Sequence, residues 1–281
     1  MKFKTFGPTS TSVSVIGQGT WNLESLSSKD FSRLIHRGLD CGMTHIDTAE
    51  MYGDGRVEIL LGKAIPNQRD KIFLVSKVLP TNASRERTVQ ACERSLRRLQ
   101  TDYLDCYLLH WLGSYPLEET IAAFEELQEA GKIRSWGMSN IDESGMARVL
   151  KLTPSPRMSC NQVLYHLKER AIEHAVLPFC AANAVALVAY SPFGSGRFPS
   201  ADEPDGRVLS AIARRHSASP RQIALAFLIR YPSVFAIPKA AQISHVEENA
   251  LAAQIVLSDE DIEQIEQTFP LGRRRKGIPT L

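Results

Sequence analysis

The chain has 281 residues, 43% hydrophobic and 23% charged, which places it among folded globular proteins and excludes disordered, collagen-like and low-complexity chains. Its 33 Lys and Arg nearly balance 31 Asp and Glu; a formal charge of +2 gives no footprint for nucleic acid or a membrane surface, so any ligand is expected in a local pocket. No run approaches the roughly 18 apolar residues of a membrane span, and the opening MKFKTFGPTSTSVSV lacks the apolar centre of a secretion signal. The five cysteines (Cys41, Cys92, Cys106, Cys160, Cys180) contain no C-x-x-C pair and read as buried thiols of a reducing compartment. A cytoplasmic protein is therefore expected, with a monomer as the default.

In chain order, the first element is a hairpin through Val15 that turns at Gly7-Pro8 and is expected to cover the bottom of a barrel. Short, nearly continuous apolar runs then recur: IFLVS (72–76), YLDCYLL (103–109), VALVAY (185–190) and VFAI (234–237), as expected of strands covered on both faces. Amphipathic stretches separate them. Val89, Cys92, Leu96 and Leu99 form one stripe in 84–99, and Leu117, Ile121, Phe124 and Leu127 another in 117–130. Ser219-Pro220-Arg221-Gln222 is a capping box, and Ser258 before three acidic residues starts a last helix.

Strand ends at Thr20, Asp47, Lys77, His110, Ser139, Gln162, Tyr190 and Ile237 recur at about one βα unit, with room for an extra helix in the last gap. The pattern predicts one α/β domain over 1–281, a (β/α)8 TIM barrel with an N-terminal β-hairpin and extra C-terminal helices. The basic run Arg273, Arg274, Arg275 and Lys276 reads as a solvated tail.

In such a barrel the polar residues at the C-terminal ends of the strands converge. Asp47 ends THID, Lys77 ends LVSK and His110 ends YLLH, each an ionisable group closing an apolar strand. Tyr52 follows in DTAEMYGDG, a glycine-containing loop able to fold the phenol over the barrel mouth. Taken singly, these are a turn cap, a loop cation, a core histidine and a half-buried aromatic. Together they make a proton donor: an ammonium beside a phenol lowers its pKa, a carboxylate keeps the ammonium charged, and a histidine orients a substrate carbonyl.

The motifs GQGTW (17–21), HIDTAEMYGDG (45–55), VSK (75–77), LLHW (108–111), GMSN (137–140), NQVLYH (161–166), AYSPFG (189–194) and IPKA (237–240) resemble those of the aldo-keto reductases, in particular bacterial-type short-loop members. The resemblance implies NADPH-dependent carbonyl reduction, with the family's catalytic tetrad falling on Asp47, Tyr52, Lys77 and His110. It also implies that Ser139, Asn140 and Gln162 bind the nicotinamide carboxamide and that Tyr190 stacks on the ring. Ser191, Pro192, Phe193 and Gly194 would line the pyrophosphate, Lys239, Glu248 and Asn249 the adenosine end, and Gly19 and Thr20 complete the cofactor wall. His245 stands where many members carry an arginine at the 2'-phosphate; histidine grips phosphate less firmly, which leaves NADH open beside NADPH.

Trp21, Trp111 and Phe193 are expected to rim a shallow, open pocket for small carbonyl compounds, since the segment Trp111–Tyr115 and the tail beyond Phe269 are both short. Activated carbonyls such as 2-oxoaldehydes should turn over best. Two alternatives remain: a Schiff-base aldolase barrel using Lys77, and a non-catalytic cofactor-binding scaffold. No metal site is expected, because the seven histidines show no zinc-ligand pattern. Neither a G-x-S-x-G elbow nor a P-loop is present, and Gly17-Gln18-Gly19 lacks the third glycine of a dinucleotide fingerprint.

Overall fold

Two short strands, β1 (Phe3–Thr5) and β2 (Ser12–Ser14), form an antiparallel hairpin in the computed structural model, which describes residues 1–153, 157–274 and 276–281. Eight parallel strands follow: β3 (Gln18–Gly19), β4 (His45–Asp47), β5 (Phe73–Val78), β6 (Cys106–Leu109), β7 (Trp136–Ser139), β8 (Met158–Leu164), β9 (Ala186–Tyr190) and β10 (Val234–Ala236). Each pairs with its neighbours in chain order. The ring closes where Ile16 bridges Ala236 and Gly19 bridges Lys239; the Gly17 N–H donates to the Ala236 carbonyl at 2.8 Å and the Gly19 N–H to that of Pro238 at 3.1 Å. Gly19 is required here, because a β-carbon would lie 2.6 Å from the Ile237 carbonyl oxygen.

The helices are α1 (Ser28–Asp40), α2 (Arg56–Ala64), α3 (Arg85–Leu99), α4 (Leu117–Glu129), α5 (Glu143–Leu152), α6 (Val176–Ala182), α7 (Pro204–Arg215), α8 (Pro220–Leu228), α9 (Ile243–Leu251) and α10 (Asp259–Thr268). Their starts follow the chemistry expected of them. Ser219 and Gln222 form the capping box of α8, and Ser258 and Asp261 that of α10, each satisfying backbone N–H groups that a first turn leaves unpaired. The extra helices are α7, inserted between β9 and α8, and α10, which packs on α7.

The barrel interior is filled from below. Phe6 and Val13 of the hairpin pack among Phe73, Val75, Cys106, Leu108, Cys160, Val188 and Phe235, so the N-terminal end is plugged and only the C-terminal end is left for a cavity. The chain beyond α10 is short, as expected, but it returns to the site. The Phe269 carbonyl accepts from Arg170 at 2.7 Å, the Gly272 carbonyl lies 3.1 Å from His174 Nε2, and Thr280 and Leu281 reach the barrel mouth. Arg273 is exposed and Arg274 pairs with Glu143, while Arg275 falls outside the described residues. Among the described residues no helix is long and apolar enough to cross a membrane.

Candidate active site

β4 and β5 are neighbours, and their ends bring Asp47 and Lys77 together. The Lys77 ammonium donates to Asp47 Oδ1 at 2.5 Å, to the Thr48 carbonyl at 2.9 Å and to Tyr52 Oη at 3.2 Å. Three N–H donors thus meet three acceptors, as a fully buried cation requires. The second carboxylate oxygen of Asp47 accepts from Gln162 Nε2 at 2.7 Å. Gln162 stands on β8, across the ring from β4, so this bond spans the mouth.

Tyr52 reaches Lys77 because the chain reverses sharply after it. Gly53, Asp54 and Gly55 all have positive φ (54°, 51° and 85°), and a β-carbon on Gly55 would lie 2.7 Å from Arg98 Nε. The phenol does not, however, end below its usual pKa. Burial raises it, and the opposing pull of the Lys77 charge and hydrogen bond does not reverse the direction. Burial lowers the pKa of Lys77, but Asp47 and Tyr52 overcompensate and hold it above the ordinary lysine value. A Schiff-base lysine must be available as a neutral amine. Lys77, charged and bonded on three sides, is unsuited to that role, which argues against the aldolase alternative.

His110 follows β6, its backbone N–H donating to the Val78 carbonyl at 3.0 Å. Burial, reinforced by Lys77, depresses its pKa to about 3, so the imidazole is neutral at physiological pH and has an N–H to offer a carbonyl oxygen. Its ring lies edge-on to Tyr52, centroids 6.0 Å apart, and 4.9 Å from the Trp111 ring.

On β7 to β9 the expected carboxamide residues form one network. Ser139 Oγ donates to the Gln162 carbonyl at 2.9 Å, and Asn140 Nδ2 to the His110 carbonyl and Ser139 Oγ, both at 3.1 Å. The Tyr190 hydroxyl donates to Asn140 Oδ1 at 2.9 Å. Burial lifts the Tyr190 phenol to about 12, against the pull of a hydrogen bond with the Leu281 backbone.

These groups surround a cavity of about 520 Å³. Gly19, Thr20, Trp21, Asp47, Tyr52, His110, Trp111, Ser139, Asn140, Gln162, Tyr190, Ser191 and Lys239 line it, and Lys77 sits behind Tyr52. Pro192, Phe193, Gly194, His245, Glu248 and Asn249 do not line it. Phe193 departs from its expected place at the pocket rim: it packs edge to face on Phe198, 5.7 Å between centroids, beneath Arg221. His245 is exposed on α9, where Glu248 accepts from the Ser219 hydroxyl. Sequence reasoning missed Met51, Leu112, Ile237, Thr280 and Leu281. Met51 and Leu112 directly flank Tyr52 and Trp111 and were within reach of such reasoning; nothing local points to the last two.

Tyr190 and Lys239 both line the cavity, and among the described residues Lys239 has no carboxylate partner, so an aromatic ring and an unneutralised cation are present, a set that fits a dinucleotide phosphate.

A family model described as the aldo/keto reductase family matches residues 15–269. The chain is 44% identical over 270 residues to methylglyoxal reductase YeaE of Escherichia coli (strain K12), covering 95% of each. It is 32% identical over 250 residues to a glyoxal reductase of Bacillus subtilis (strain 168), covering 89% of this chain and 87% of the relative. Its fold superposes with a TM-score of 0.94 on the crystal structure of an aldo-keto reductase from Klebsiella pneumoniae in complex with NADPH, at 42% identity and covering 100% of this chain and 99% of that one.

Proposed function

The chain belongs to the aldo/keto reductase family, and from that premise we propose that it reduces small aldehydes and ketones to alcohols with NADPH, Tyr52 donating the proton. The observation that carries this reading is the buried Asp47–Lys77–Tyr52 array, with the phenol on the cavity side of the ammonium. Tyr190, Ser139 and Asn140 would hold the nicotinamide, which when bound would supply hydride to the carbonyl carbon. Tyr52 and His110 receive the carbonyl oxygen with two hydrogen bonds, polarising the C=O bond and fixing its position. The raised pKa keeps Tyr52 protonated at neutral pH, and Lys77 stabilises the phenolate as the Oη proton passes to the substrate oxygen. Asp47 keeps Lys77 charged throughout. Asn140 and Ser139, bonded to each other, and Gln162, bonded to Asp47, are the side chains that would hold the carboxamide.

Trp21, Met51, Trp111, Leu112 and Leu281 give the same cavity an apolar portion of wall beside this array. Two relatives are a methylglyoxal reductase and a glyoxal reductase, which supports small 2-oxoaldehydes as the substrate class. Lys239 supports a preference for NADPH; the exposed His245 supports a weaker preference over NADH than an arginine would give.

Replacing Tyr52 by Phe tests the assignment. The turnover of methylglyoxal is expected to fall roughly 10²- to 10⁴-fold, the worth of a positioned general acid, with the NADPH Kd nearly unchanged. Undiminished turnover would falsify the role of Tyr52.

A further inference from the structure

We propose that Arg221 is a phosphate-gripping residue of the cofactor site, its guanidinium closing over the pyrophosphate that the Ser191–Gly194 run would hold. The proposal rests on the NADPH reading above and adds a residue to it. Arg221 stands in the first turn of α8, between the two members of the capping box, Ser219 and Gln222, and its side chain is exposed. The guanidinium carbon lies 4.9 Å from the centroid of Phe193 and 4.7 Å from that of Phe198, two rings set at 89° to each other. Stacking engages only the face of a guanidinium and leaves the N–H edge free.

Among the described residues that edge has no hydrogen-bond or carboxylate partner. The other arginines beside aromatic rings differ in this respect: Arg69 and Arg134 both bond Asp105, and Arg170 and Arg230 share Glu173 and Glu266. Arg221 is thus an oriented fork without an acceptor. Its surroundings indicate which acceptor fits. Phe193, on which it rests, lies within the Ser191–Gly194 run, whose backbone turns through the left-handed region at Ser191 and Gly194. The base of α8 is also locked to α9: the Ser219 hydroxyl donates to Glu248, and Gln222 Nε2 donates to the Glu248 carbonyl at 2.9 Å. Arg221 therefore stands between the pyrophosphate run and the helix carrying His245 and Asn249. A diphosphate is the acceptor a planar fork at that place matches.

Because Phe193 is its platform, Arg221 is assigned to the pyrophosphate, which NADPH and NADH share, and not to the 2'-phosphate. The test is the Kd of each dinucleotide, from quenching of tryptophan fluorescence, for the wild-type protein and for Arg221→Ala and Arg221→Lys. Arg221→Ala is expected to weaken NADPH and NADH by a similar factor, roughly 10- to 100-fold, as for a lost charge-assisted hydrogen bond. Arg221→Lys should recover only part of this, since an ammonium neither stacks nor forks. The residue is exposed and the cap is untouched, so the thermal midpoint should stay constant and a folding defect would be visible separately. Unchanged Kd values would overturn the proposal, and so would a loss confined to NADPH, which would place Arg221 at the 2'-phosphate. If the wild-type protein bound neither dinucleotide, the NADPH reading itself would fail, and this one with it.

Discussion

Lys77 shows why three residues far apart in sequence behave as one unit. Its ammonium is fully buried and saturated by Asp47, Thr48 and Tyr52, so removing it leaves the Asp47 carboxylate buried with only Gln162 to compensate. Breaking a buried pair from one side costs about 3–5 kcal/mol. Lys77→Met is therefore expected to lower unfolding stability by that order in urea titrations, independently of its effect on turnover; a loss below about 1 kcal/mol would mean that the pair is wetter than its burial implies. At this scale much of the site was legible. Asp47, Lys77 and His110 stand out because a charge at the end of an apolar strand needs a reason. The Gln162–Asp47 bond was not legible, since it depends on which strands face each other across the ring. Nor was the upward shift of Tyr52, which reflects how much burial outweighs one neighbouring charge.

The elements that matter most to function are loops with unusual backbone. Three consecutive left-handed residues, Gly53 to Gly55, turn Tyr52 back over Lys77, and the last approaches Arg98, whose partner is the buried Glu58 at 2.6 Å. In Gly55→Ala the new methyl group meets both an unfavourable φ and the Arg98 side chain. A stability loss of about 1–2 kcal/mol is expected, with lower kcat and an unchanged NADPH Kd, because the phenol moves while the cofactor wall does not. Equal effects on kcat and Kd would show that the loop serves both walls. Helix starts were readable in advance: Ser219 with Gln222 and Ser258 with Asp261 satisfy N–H groups by local chemistry alone. The return of Thr280 and Leu281 to the mouth was not, because its anchors at Arg170 and His174 lie about a hundred positions away.

Across the whole molecule, acid sensitivity is built into two neutral imidazoles. His45 lies among Phe6, Phe73 and Phe235, and burial, with a smaller contribution from Lys77, pushes its pKa down to about 3, as for His110. Between about pH 6.5 and pH 3 the unfolded chain binds a proton on each ring that the folded chain refuses, so stability rises with pH through this window and is lost on acidification. Each histidine contributes a slope of about 1.4 kcal/mol per pH unit. Urea unfolding from pH 6.5 to 4.5 should show His45→Leu with a slope shallower by about that amount; equal slopes would mean that His45 titrates normally. The closed barrel was legible from the recurrence of eight strand ends at one βα unit, but the particular hydrogen bonds of its seam were not. The seam joins residues 16–19 to 236–239, so a chain emerging from the ribosome cannot complete the ring, or bring Lys239 beside Gly19, until nearly all of it has been made. Tyr52, Lys77 and His110 are therefore synthesised well before the strands on the far side of the ring, and competence arrives only with the final stitch.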